Sequence, residues 1–215
     1  MIIYVNGDSH SAGHEAGGPA FSYGKYISDI LGAQFVCDAT AGCSNDYIIN
    51  KTLTYLETNT PDFIIIGWST WERETWTIGN RSYNITSSGH ATVPLELQNK
   101  YKQWVTEVVT PENQRLKERT NHENIWKLHQ TLKQRNIKHL FFNSYSHFFY
   151  TVAHNDLRYD WGDNYIDPYN QNSTYYYWLE NKGFKPVNPK WYHYDTNAHA
   201  AWAEFLLSRI KKLLT

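Results

Sequence analysis

A serine and a histidine that could carry out nucleophilic chemistry stand far apart in this sequence. Residues 2–9 form a short apolar run that ends in Gly7-Asp8-Ser9, and His193 follows much later. An imidazole can remove the proton from a serine hydroxyl, which then attacks an acyl carbon. The reaction also needs hydrogen-bond donors for the negative oxygen that forms. Because Gly-Asp-Ser is also an ordinary turn sequence, the interpretation depends on the residues that accompany it.

Strand-like and helix-like segments alternate along the chain and must position these groups. Apolar runs predict strands at residues 2–6, 34–38, 63–67 and 137–143. Helical patterns occur at residues 19–31, 44–57, 96–109, 113–135, 173–182 and 196–214. Residues 70–95, and most of 145–190, are predicted to be irregular. The alternation predicts a parallel sheet covered on both faces, and without a repeat or linker we expect one domain over residues 1–215.

The candidate reactive groups follow successive predicted strands. Ser9 follows the first strand, Gly42 the second and residues 67–70 the third, while His193 precedes the last helix. Because the carboxyl ends of parallel strands share one edge, these groups are expected to meet there. The candidate oxyanion donors are the backbone N–H groups of Ser9 and Gly42, with Asn45 or a side chain from residues 67–70 as an additional donor.

The composition excludes several classes of function. The 20 basic and 21 acidic residues give a net charge of −1, so no field favours nucleic acid or an anionic membrane. No apolar run approaches the ~20 residues that span a bilayer, and no basic segment precedes an apolar stretch as in a signal peptide. Cys37 and Cys43 are the only cysteines, which is typical of a reducing compartment, so we expect a cytoplasmic protein.

The order of these motifs resembles the SGNH (GDSL-type) hydrolases over nearly the whole chain. The resemblance rests on Gly7, Asp8, Ser9, Gly42, Asn45, Gly67 and His193. It implies a flavodoxin-like three-layer α/β/α sandwich with a central parallel sheet. It also implies an esterase acting on a short acyl group, with a small-molecule or carbohydrate ester as substrate. Ser9 would be the nucleophile, His193 the base and Gly42 an oxyanion donor, with no metal or organic cofactor.

The chain departs from the family pattern at two positions. Ser69 stands where the family has its oxyanion asparagine, and its shorter side chain carries a hydroxyl that could donate instead. Lys190 stands where the family has the acid that orients the base. Residues 67–74 are similar to a variant of phage-related members, so a phage particle is a further expected location.

The group that orients His193 is left open by the sequence. Asp195 is expected to cap the last helix, and Asp8 to shape the turn before Ser9. A backbone carbonyl, Glu72 or Glu74 are further candidates. If His193 is the base, activity should fall at acid pH, with an apparent pKa near ~6.5 that its surroundings shift.

Two other functions fit parts of the sequence. A catalytically weak or silent domain could bind glycans or serve as a structural module, and its ring faces would be Trp68, Trp71, Trp76, Trp161 and residues 175–178. The same rings could equally pack the loops onto the core, which we expect for at least half of them. Alternatively, Asp8 and His10 form the Asp-x-His that opens some two-metal phosphoesterases. The further ligand motifs of that class are missing from the sequence, and it has no zinc-binding His or Cys spacing.

Overall fold

The computed structural model of the protein describes residues 1–89, 93–188 and 191–215. The strands are β1 (Ile2–Gly7), β2 (Gln34–Cys37), β3 (Phe63–Trp68), β4 (Glu74–Ile78), β5 (Arg81–Ile85) and β6 (Lys138–Asn143). In the described part of the chain, four of them form a parallel sheet in the order β2-β1-β3-β6. β1 and β3 are therefore central, and the loops after them leave the same edge of the sheet.

The helices are α1 (Tyr23–Ile30), α2 (Asn45–Thr58), α3 (Gln98–Val108), α4 (Pro111–Gln134), α5 (Phe149–Ala153), α6 (Tyr175–Asn181) and α7 (Thr196–Leu214). Side-chain oxygens cap four of them at their first turns, and the caps are Ser44, Thr110, Thr174 and Asp195. Each cap accepts a backbone N–H that has no partner within its helix. These caps explain why the predicted helix starts lie close to the observed ones.

The alternating side chains of the strands pack against helices on both faces of the sheet. Ile3 and Val5 of β1 belong to a cluster with α1, α6 and α7, whereas Tyr4 packs on the other face with α2 and α4. All six residues of β3 are buried, as expected for a central parallel strand. These three layers confirm the predicted α/β/α sandwich with a central parallel sheet.

The segment between β3 and α4 differs most from the prediction. Residues 70–95 were expected to be irregular, but β4 and β5 pair as an antiparallel hairpin. Gly79, at φ 55°, begins the two-residue turn between them, a signal typical of hairpins. The hairpin and α3 share a separate apolar cluster of Trp76, Ile85, Val93, Tyr101, Trp104 and Val108.

Two smaller differences concern helix starts. The predicted helix 19–31 is a 3-10 turn at Pro19–Phe21 followed by α1, because Ser22 is extended between them. The helix predicted at residues 113–135 begins earlier, at Pro111, because a proline in the first turn of a helix lacks no hydrogen bond. Cys37 and Cys43 are both free thiols. Across the described residues, no helix combines the length and apolar character that a bilayer crossing requires.

Candidate active site

The side chains of Ser9 and His193 meet beyond the carboxyl end of β1. His193 Nε2 lies 2.9 Å from Ser9 Oγ, and both residues are buried. Burial lowers the pKa of His193 to about 4, and nearby His10 and His14 act in the same direction, while Asp8 opposes them. The imidazole is therefore neutral near pH 7, with Nε2 able to accept the proton of the serine hydroxyl.

The loop after β1 is tied down on both sides of Ser9. The N–H of Ala12 donates to Asp8 O at 3.0 Å, and the N–H of His14 donates to Ser9 O at 3.0 Å. Beneath the loop, the hydroxyl of Tyr23 donates to Ser11 Oγ at 2.8 Å. These bonds hold Ser9 in a fixed turn directly after β1.

Asp8 is buried and organises the same loop. Its Oδ1 accepts the N–H of His10 at 3.0 Å and the hydroxyl of Ser144 at 3.1 Å, and Arg73 Nη1 lies 3.5 Å from its Oδ2. Burial raises the pKa of Asp8, although the Arg73 charge and the two hydrogen bonds oppose that shift. Asp8 thus contacts the turn rather than the imidazole, and Asp195 accepts Ala198 N–H at 3.0 Å as the cap of α7.

The loop that carries Gly42 lies against the end of β1. The N–H of Thr40 donates to Gly7 O at 2.9 Å, and Cys43 Sγ lies 3.4 Å from the same carbonyl. Gly42 adopts φ 72°, a conformation that favours glycine. In the described part of the chain, neither the N–H of Ser9 nor that of Gly42 donates to another backbone carbonyl. The roles of these two N–H groups as oxyanion donors stay predictions.

The two predicted side-chain donors are engaged with their neighbours. Asn45 Oδ1 accepts the N–H of Ser69 at 2.8 Å, while Nδ2 donates to Ser69 O at 3.1 Å and to Asn121 Oδ1 at 2.9 Å. The Ser69 hydroxyl accepts from Arg73 Nη1 at 2.7 Å. A role for Asn45 or Ser69 as an oxyanion donor stays a prediction, and Arg73 is a cation at this site that the sequence did not point to.

A carboxylate that the sequence did not single out faces the other nitrogen of His193. Glu15 Oε2 lies 3.5 Å from His193 Nδ1. The two acids considered before have other partners: Glu72 Oε1 accepts the Thr70 hydroxyl at 2.9 Å, and Glu74 forms an ion pair with Lys117. The only sequence signal for Glu15 was its place in the glycine-rich run after Ser9. Lys190 lies outside the described residues.

The rings proposed to face sugars are mostly buried. Trp68, Trp71, Trp76 and Trp161 are 0, 5, 6 and 4% exposed, so of the two roles considered for these rings they take packing within the protein and not the role of glycan-facing surfaces. Two other rings, Trp191 and Tyr192, are 50% and 45% exposed directly before His193. Among the described residues, no group of three or more His, Cys, Asp or Glu side chains could hold a metal ion.

No protein-family model matches the sequence, and no curated protein matches it either. Among solved structures, TesA is 12% identical, with 99% of each chain covered and a TM-score of 0.58. A G-D-S-L family protein from Desulfitobacterium hafniense DCB-2 is 11% identical over 97% of this chain and 99% of that one, with a TM-score of 0.52. A carbohydrate esterase family 2 enzyme with a carbohydrate binding domain, from Corynascus thermopiles (Myceliophthora fergusii), is 15% identical over 100% of this chain and 66% of that one, with a TM-score of 0.55. The chain therefore has the fold of the SGNH (GDSL-type) hydrolases.

Proposed function

We propose that the protein is a serine esterase that hydrolyses a short acyl ester. The observation that carries this proposal is the 2.9 Å contact between Ser9 Oγ and His193 Nε2. A serine hydroxyl bonded to a neutral imidazole has the arrangement that general-base activation requires. The backbone N–H groups of Ser9 and Gly42 supply donors at the same edge of the sheet.

The reaction follows from these groups. Ser9 Oγ bonds to the ester carbonyl carbon while His193 Nε2 takes the hydroxyl proton. The carbonyl oxygen becomes negative and accepts hydrogen bonds from the N–H groups of Ser9 and Gly42. His193 then protonates the departing alcohol, which leaves an acyl group on Ser9. His193 then takes a proton from water as the water oxygen bonds to the acyl carbon. The bond from that carbon to Ser9 Oγ breaks, the acid leaves, and His193 returns the proton to Oγ. No metal ion or organic cofactor takes part in these steps.

We infer that the alcohol side of the ester is a small molecule or a carbohydrate. The exposed rings of Trp191 and Tyr192 stand directly before His193, where a sugar ring could stack on them. A structural neighbour named as a carbohydrate esterase supports the same class of substrate. The resemblance of residues 67–74 to phage-related members supports a role in a phage particle made in the cytoplasm.

The test is hydrolysis of 4-nitrophenyl acetate and 4-nitrophenyl butyrate by the wild type, Ser9→Ala and His193→Ala. Each substitution should lower kcat/KM by ~10³-fold or more, since the two groups act as a unit. Ser208→Ala and His154→Ala, which alter exposed residues of the same types, are matched controls and should retain the wild-type rate. A serine-directed phosphonate should label the wild type but not Ser9→Ala.

The competing function is a glycan-binding module with little or no catalysis. The presence of Ser69 where the family has its oxyanion asparagine favours it, because the shorter serine side chain replaces the usual donor. Such a module would show no phosphonate labelling, would hydrolyse neither ester above the buffer rate, and would bind glycans equally well after Ser9→Ala. Those three results together would reject the esterase proposal.

A further inference from the structure

We propose that Glu15 is the residue that orients His193, a role that rests on the proposed Ser9 and His193 chemistry. Glu15 Oε2 lies 3.5 Å from Nδ1, on the side of the ring opposite the serine. The Nδ1 atom is buried, and among the described residues no atom forms a hydrogen bond with it. A buried ring nitrogen needs a hydrogen-bond partner. The Glu15 carboxylate lies where an acid that orients the ring through this nitrogen would lie.

The other acids near the site are committed elsewhere. Asp195 accepts the N–H of Ala198, and Asp8 accepts the N–H of His10 and the hydroxyl of Ser144. Among ion pairs of the described residues, His193 takes part in the one with Glu15. Glu15 therefore fills the role left open when Lys190 replaced the usual acid.

The backbone conformation of Glu15 supports a role for its side chain. Glu15 adopts φ 63°, in the left-handed region that costs free energy for residues other than glycine. The flanking turn is held by Gly13, whose carbonyl accepts the N–H groups of Ala16 and Gly18 at 3.0 Å each. A glycine would adopt this backbone at lower cost, but it would leave Nδ1 without a carboxylate.

The chemical role of Glu15 follows from the tautomer that the reaction needs. Because Nε2 must accept the serine proton, the single proton of the neutral ring belongs on Nδ1, facing Glu15. When Nε2 gains its proton, the ring becomes a cation and the carboxylate stabilises it. The contact is longer than a good hydrogen bond and is expected to shorten when the ring becomes charged, as catalytic contacts commonly do.

Other charged and titratable groups also act on the ring. Among the described residues, the side chains whose charges act on His193 are those of His10, His14, Asp8, Arg73 and His199. Glu15→Gln changes none of these groups and keeps nearly the size and shape of the side chain, so the difference between that variant and the wild type isolates the contribution of the Glu15 charge.

The experiment compares the wild type with Glu15→Gln and Glu15→Asp, using the 4-nitrophenyl esters. Glu15→Gln should lower kcat by about 10²–10⁴-fold with little change in KM, since an amide can hold the wrong tautomer and carries no charge. Glu15→Asp, with a shorter side chain, should give an intermediate rate. Glu57→Gln changes an exposed residue of α2 and should match the wild type.

A second readout does not depend on turnover. The pKa of His193, followed by NMR of its ring nitrogens, should be lower in Glu15→Gln than in the wild type, and the acid limb of kcat/KM should move to lower pH with it. A variant that is merely less folded would lower the rate without moving either value. An unchanged His193 pKa in folded Glu15→Gln would overturn the proposal, whether or not the wild type hydrolyses these esters. Equal rates of wild type and Ser9→Ala would instead reject the esterase function.

Discussion

Arg73 Nη1 lies 3.5 Å from Asp8 Oδ2, and thereby joins the segment after β3 to the loop after β1. Asp8 is 1% exposed and the Arg73 side chain 19% exposed, so water screens this pair only weakly. The same Nη1 donates to Ser69 Oγ at 2.7 Å. The Arg73 guanidinium therefore offsets the charge of a buried carboxylate and also donates a hydrogen bond to the Ser69 hydroxyl oxygen.

Replacing Arg73 by methionine should destabilise the protein by about 3 kcal/mol, because it leaves the Asp8 carboxylate buried without an opposite charge. Urea unfolding at neutral pH measures the loss. Arg119→Met removes an exposed pair with Glu123 and should cost ~1 kcal/mol or less. Adding Asp8→Asn to Arg73→Met should recover part of the stability. An equal loss from the two single arginine variants would show that the Asp8 pair contributes no more than a surface pair.

The pH dependence of hydrolysis should reflect the buried imidazole. Burial lowers the pKa of His193 to about 4, and only the neutral ring can act as a base. We therefore expect kcat/KM to stay high well below the ordinary histidine value of ~6.5 and to fall only as the pH approaches about 4. Initial rates corrected for spontaneous hydrolysis measure the profile, with circular dichroism to show that the fold persists. A half-maximal rate at or above ~6.5 would contradict this prediction.

Folding stability should also decrease in acid, through several buried histidines. Burial lowers the pKa of His10 and His199 to about 3, and that of His122, His129 and His139 to about 4. In the unfolded chain each titrates near ~6.5, so below that pH the unfolded state binds more protons than the folded state. The free energy of unfolding should therefore fall from about pH 6.5 down to about pH 4.

Urea midpoints across that pH range measure the effect. His139→Phe should flatten the slope, because it removes one buried histidine. Exposed His154 serves as the matched control, and His154→Phe should leave the slope unchanged. A stability that is flat over this range would mean that these rings titrate alike in both states.

Gly67→Ala should impair the loop that carries the proposed nucleophile. An added Cβ would lie 2.6 Å from Ser11 Oγ and 2.7 Å from Phe142 Cζ. Both distances are too short, so both side chains would have to shift. We expect a loss of about 1–3 kcal/mol and a fall in kcat, because Ser11 lies in the same loop as Ser9. Gly32→Ala meets open space at φ 60° and should cost only its backbone strain, with kcat unchanged. Thermal melts and initial rates of both variants test this prediction. A Gly67→Ala variant with the wild-type kcat would contradict it.

The sequence predicted the sheet because its strands carry uninterrupted apolar runs. Phe63–Trp68 is buried along its whole length, and a run of that kind is typical of a central parallel strand. The β4 and β5 hairpin was missed, although Gly79 was a turn signal. Its strands are short and only partly buried, so their alternation is weak against the surrounding polar residues.

The candidate site was predictable where a motif and a strand end coincide, as for Ser9. Contacts between distant parts of the chain were not predictable from the sequence. Glu15 faces His193 only because the fold brings the loop after β1 to the residues before α7. Likewise, Asn45 suggested a free donor from its position, but both ends of its amide bond to the Ser69 backbone. Side-chain partners of this kind follow from the tertiary structure and have no local sequence signal.

The separation of 184 positions between Ser9 and His193 has a consequence for when the proposed site is completed during synthesis. The ribosome makes Ser9 well before His193, whose imidazole the proposed mechanism needs. A nascent chain therefore carries a hydroxyl with no base. The proposed site is completed when α7, which packs in the same cluster as β1, brings His193, just upstream of it, into place. The proposed ester hydrolysis would therefore report on the docking of α7, and a protease that removed α7 would abolish that hydrolysis without touching the serine.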